Sequence, residues 1–132
     1  MPNITNPDAF QLEAATLLAA AYSAFPTQFD WKHDSGGDNY PTETGQTREE
    51  IQLQTIRWLI KHGYLSNEFG MVGGEWKGLG LTERGLVALN SVPEALAGKD
   101  PLGKRLAAAV ATGSADVIKK LIPVAIQQAF AG

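Results

Sequence analysis

TREEIQLQTIRWLIKHGYLSNEFGMVGGEWKGLGLTERGLVALN, residues 47–90, is the stretch whose reading decides the fold. Thr47-Arg48-Glu49-Glu50 is a capping box: the Thr47 hydroxyl can accept the Glu50 backbone N–H while the Glu50 side chain reaches back. Ile51, Thr55, Ile56, Leu59 and Ile60 then fall on one helical face, widened by Leu53 and Trp58. Gln52, Gln54, Arg57 and Lys61 are expected to point outward. His62 stands at the helix C-terminus, where the dipole favours a cation, and Gly63 can take the left-handed conformation that ends helices. Gly73-Gly74, between Met71-Val72 and Glu75-Trp76, predicts a hairpin turn joining strands at 65–72 and 75–81. Thr82 caps a further helix with Leu81, Leu86, Val87 and Leu89 as apolar anchors. Gly85 inside that helix costs roughly 1 kcal/mol relative to Ala, which points to close packing.

Upstream, Asn6 is the expected N-cap of a first helix, with Pro7 at its first position and Asp8 favouring the positive helix end. Phe10, Ala14, Leu17, Leu18, Ala21, Tyr22 and Phe25 recur at helical spacing, and Pro26 ends the run. Gln28-Phe29-Asp30-Trp31 alternates as a short strand. Lys32 to Gln46 is polar, contains Gly36-Gly37, Pro41 and Gly45, and reads as a long loop. Downstream, Asp100 is expected to cap a helix that ends before Gly113, and Ser114 a second that reaches about Phe130. Pro123 lies inside that last helix and should kink it.

The order helix, short strand, helix, hairpin, helix carries a resemblance. Residues 55–65, from Thr55-Ile56-Arg57-Trp58-Leu59 through Gly63-Tyr64-Leu65, resemble the junction of recognition helix and first wing strand in winged helix-turn-helix proteins. Leu81-Thr82-Glu83-Arg84-Gly85-Leu86 is similar to the Leu-Thr-x-(Lys/Arg)-Gly element after the wing in many bacterial transcription regulators. Most of the chain is also similar to a group of uncharacterised bacterial proteins with the same succession of motifs. The resemblance implies an α+β, mostly helical fold: a winged-helix-like core over residues 1–98 and a C-terminal helical pair over 99–132, packing on that core or on a partner subunit. It supplies no activity, substrate or catalytic residue. The chain departs from the pattern at one place. A helix should precede the recognition helix and position it across the DNA backbone, and 32–46 reads as loop.

The function so implied is a DNA-associated transcriptional regulator; the alternative is a winged-helix module that binds protein and not DNA. Candidate contacts to DNA or a partner are Arg48, Gln52, Gln54, Arg57 and Lys61 on the helix and Trp76 and Lys77 on the wing, because Arg and Gln read base edges and Lys and Arg meet phosphate. Composition weighs against DNA. Eleven Lys and Arg stand against fourteen Asp and Glu, a net charge of −3, whereas phosphate binding draws on an excess of cations. The charge is uneven: residues 1–46 hold one lysine and six carboxylates, and 99–132 hold five cations and two carboxylates. The apolar stripe Ile118, Leu121, Ile122, Ile126 and Phe130 is the candidate surface for a homodimer, against the alternative that it packs on its own domain.

Several classes of chemistry find little support. Cysteine is absent, which excludes disulfides, thiolate metal sites and cysteine nucleophiles. Asp30, His33, Asp34 and Asp38 cluster in sequence, but the spacing fits no calcium loop. The serines lie in no nucleophile-elbow pattern, and the Gly-rich hairpin lacks the Lys-Ser/Thr of a phosphate loop. No enzyme, metal or cofactor is expected. With neither signal peptide nor membrane span recognisable, a soluble cytoplasmic protein is the expectation.

Overall fold

The first helix begins one residue earlier than its Asn-Pro-Asp signal suggests. The Thr5 hydroxyl accepts the Asp8 N–H at 3.2 Å, and α1 runs Asn6–Ala24 with Pro7 in its first turn, where a missing N–H costs nothing. The helix ends before Phe25-Pro26, as the steric restriction on the residue before proline requires; Phe25 is consequently exposed and not on the packed face. The computed structural model describes residues 4–32, 42–92 and 99–131, with side chains described through residue 128. The remaining elements are β1 (Phe29–Lys32), α2 (Arg48–Lys61), β2 (Leu65–Val72), β3 (Glu75–Leu81), α3 (Glu83–Asn90), α4 (Leu102–Thr112) and α5 (Ala115–Ala131). This is an α+β architecture of helices around a three-stranded antiparallel sheet.

Most of the expected boundaries hold. The Thr47 hydroxyl accepts the Glu50 N–H at 3.2 Å, and Thr82 accepts that of Gly85 at 3.0 Å. Gly63 closes α2 at φ +82°, and Gly73 and Gly74 carry the two positive φ values of a type I′ turn. Gly113, at φ +68°, ends α4, and Pro123 lies inside α5. Two anchors differ. Val87 is exposed, and Ala88 is buried in its place. Asp100 does not cap α4: Pro101 holds the cap position without a side-chain bond, while the Asp100 carbonyl accepts from Arg105 Nε at 3.0 Å. Of the expected 32–46 loop, residues 33–41 lie outside the described residues, as does Pro93. Residues 42–46 form a turn in which Thr42 N–H bonds Gln46 O and Glu43 N–H bonds Ile4 O.

The strand order is β1-β3-β2, so β2 is an edge strand. A bulge at Gly78 (φ +72°) governs its faces. Phe29 pairs with Leu79 but Trp31 with Trp76, two residues of β1 against three of β3. The extra residue lets Leu79 and Trp76 both face the core, which strict alternation would forbid. Asp30 holds the bulge by accepting the Gly78 N–H at 3.1 Å.

The core runs through the whole chain. Leu17, Leu18 and Ala21 of α1 join Ile56 and Leu59 of α2, Leu79 and Leu81 of β3, Leu89 of α3, Leu102 and Leu106 of α4 and Leu121 and Ile122 of α5 in one buried cluster. Ala9, Ala14, Ala15, Ala19 and Ala21 are buried, and these short side chains let neighbouring helices approach α1 from several sides. Close approach recurs at Gly103, where a Cβ would stand 2.7 Å from the Tyr22 ring. Among the described residues, no helix is long and apolar enough to cross a membrane.

Candidate functional site

Of the seven residues put forward for DNA or partner contact, four have partners or burial within the chain. Gln52 was expected on the outer face of α2 but is 1% exposed. Its Nε2 donates to Glu13 Oε1 at 3.2 Å, and Arg48 Nε meets Glu13 Oε2 at 3.3 Å. Glu13 lies on the Ala9–Glu13–Leu17 ridge of α1 and is itself 5% exposed. A carboxylate so placed requires donors, and α2 supplies them from two positions one helical turn apart. Sequence reasoning missed Glu13, although a single charge on an otherwise apolar helix face was the signal for it. Trp76 is buried in the core by the Gly78 bulge. Lys77 pairs with Glu75 Oε2 at 2.8 Å and Asp30 Oδ2 at 3.3 Å. Hydrogen bonds to Glu75 and then Asp30 raise its pKa, while the Gly78 N–H, followed by Lys77, lowers that of Asp30.

Gln54, Arg57 and Lys61 remain exposed. Their spacing places them along one face of α2. Arg84 extends this strip past the helix end, with Nη1 donating to His62 O at 3.3 Å. Trp58, on the same helix, lies between Phe10 (edge-on, 5.0 Å between ring centroids) and His62 (stacked, 4.1 Å). Exposed Glu49 and Glu50 stand at the opposite, N-terminal end.

The second exposed feature is apolar. Phe69, Met71 and Val72 of β2 are 64%, 43% and 55% exposed. A register shift lies between Asn67 and Gly70, and Phe69 leans over the bulge glycine, where a Cβ on Gly78 would meet its ring at 2.8 Å. The sequence pointed to the wrong strand of the hairpin: Trp76 of β3 is inside, and the solvated aromatic is Phe69 of β2. The available signal was Phe69-Gly70-Met71-Val72 itself, an apolar run that breaks strand alternation.

The candidate self-association stripe is a correction. Ile118, Leu121 and Ile122 are buried in the chain's own core, and Ile126 packs against it. The Ile126 carbonyl accepts the Tyr64 hydroxyl at 3.3 Å, and burial raises the Tyr64 pKa. The side chain of Phe130 lies outside the described residues. The α5 stripe therefore closes this molecule and does not form a dimer face. Of the acidic cluster in sequence, Asp30 is bonded to Gly78 and Lys77, and His33, Asp34 and Asp38 lie outside the described residues. Among the described residues, no group of three His, Asp or Glu could hold a metal ion.

Comparison with protein-family models, with curated proteins and with solved structures gives no match.

Proposed function

We propose that this chain is a winged-helix-like interaction module whose contact surface combines the hairpin with the outer face of α2, and whose partner is a protein. The winged-helix reading is supported by the element order and by β1 lying across β3 from β2. The observation that carries the partner reading is the exposed apolar run Phe69, Met71 and Val72 at the hairpin. Clustered apolar side chains on a projecting edge strand suit a protein surface. A wing that tracks phosphate calls for cations, and Lys77 of this one is paired with two carboxylates.

DNA association is the second reading, favoured by the exposed strip Gln54, Arg57 and Lys61. Two measurements separate the readings. Titration with duplex DNA across a salt series is expected to show no steeply salt-dependent complex. Photo-crosslinking from position 69 in native cell extract is expected to give a discrete protein adduct, lost in Val72→Asp. A DNA complex that weakens steeply with salt and disappears in Arg57→Ala/Lys61→Ala would replace the protein reading with the DNA one.

A further inference from the structure

A cleft of about 280 Å³ opens between α1, the start of α2 and the corner joining α4 to α5. Leu12, Glu13 and Thr16 line it from α1, Arg48 from α2, Val110 and Gly113 from the end of α4, and Ala115 and Ile118 from α5. Its size corresponds to about nine water molecules, enough for a small organic molecule and too little for a nucleotide.

We propose that this cleft binds a small carboxylate with a short apolar body, anchored by Arg48. The polar end of the cleft is asymmetric in access: the Arg48 side chain is 27% exposed and that of Glu13 only 6%. A ligand entering the cleft therefore reaches the guanidinium before the carboxylate. Both Glu13 oxygens also accept from protein donors, Oε1 from Gln52 and Oε2 from Arg48, so a cationic ligand would compete with bonds already made. The guanidinium is a planar fork of five N–H donors that can address a second carboxylate from another edge. Glu13 fixes the plane of that fork through Nε, which limits the ordering cost of binding.

The rest of the lining suits the other end of such a molecule. Leu12, Val110 and Ile118 give apolar contact, and Gly113 and Ala115 leave the space. The Thr16 hydroxyl donates to Leu12 O within its own helix. Ala115 is also the first residue of α5, whose N-terminal dipole adds positive potential at the cleft. Asp116, in the same turn, is exposed and does not line it. The inference is independent of the partner proposed above.

Butyrate is the probe, with butylamine as its counterpart of opposite charge and similar shape. Each is titrated into the ¹⁵N-labelled full chain, and amide shifts are followed. Butyrate is expected to move amides near residues 12–16, 48 and 113–118 with a Kd on the order of 1 mM. Ala115→Leu fills the cleft from an exposed helical position and should weaken butyrate about tenfold without lowering Tm. Arg48→Lys keeps the charge, loses the fork, and should weaken it as well. Absence of localised shifts up to roughly 50 mM butyrate, butyrate binding indifferent to Ala115→Leu, or preferential binding of butylamine would each overturn the proposal.

Discussion

Gly85 shows how one atom can outweigh propensity. Alanine there would stabilise an unconstrained helix by about 1 kcal/mol. Its Cβ, however, would lie 2.5 Å from the Tyr64 carbonyl oxygen and 2.6 Å from Leu81 Cδ1. That carbonyl accepts the Thr82 N–H at 3.1 Å and cannot recede without breaking the bond. Overpacking of this kind costs roughly 1–3 kcal/mol beyond the propensity gain, so Gly85→Ala is expected to destabilise, read as a lower urea midpoint. Asp30 gives a pH-dependent counterpart. The Gly78 N–H and Lys77 hold its pKa below the ordinary 3.8, so its contribution is present above that value and lost as pH falls through the folded one. Asp30→Asn removes the charge at similar shape. The stability gap between wild type and variant should therefore close between about pH 6 and pH 2.5; a gap constant with pH would dissociate Asp30 from acid unfolding. The glycine was legible as a packing signal in the sequence. The Asp30–Gly78 bond was not, because it joins residues 48 apart through a bulge whose register no local pattern specifies.

At the scale of elements, legibility followed the range of the interaction. Both Thr caps and the Gly-Gly turn are made within four residues, and each appears where the sequence placed it. Burial of Gln52 depends on α1, and helical periodicity on α2 alone put that residue outside. The same distinction separates the two caps. Thr47 only accepts the Glu50 N–H at an exposed position. Thr82 accepts the Gly85 N–H and also directs its hydroxyl at the Gly63 and Tyr64 carbonyls, tying α3 to the end of α2. Thr47→Ala should therefore cost about 1 kcal/mol. Thr82→Ala should cost more, about 2 kcal/mol, because part-buried carbonyls lose a donor as well. Chemical denaturation of the two variants side by side checks the order.

For the whole molecule, the division suggested by sequence, 1–98 and 99–132, does not correspond to a division of the core. The tail looked separable because its two helices follow the resemblance to a winged-helix core, and nothing in their own pattern says what they cover. They cover α1. Leu102, Leu106, Ile118, Leu121 and Ile122 belong to the same buried cluster as Leu17, Leu18, Ile56 and Leu59, and Lys119 Nζ reaches Asp8 Oδ2 at 3.2 Å. Each such Leu or Ile is worth roughly 1.5–3 kcal/mol on burial, and a domain of this size is stable by only about 5–15 kcal/mol. Removing five of them at once takes away most or all of that margin. It also exposes the faces of α1 and α3 on which α4 and α5 rest. A chain ending at residue 98 is thus expected to lack a cooperative thermal transition and dispersed amide resonances, even though it keeps the hairpin and every cap from Thr5 to Thr82. Adding a separately made 99–132 segment should restore cooperativity if the two pieces need each other only through this core. A well-dispersed spectrum from 1–98 alone would show that the sheet and first three helices carry their own stability, and that the tail is an attachment.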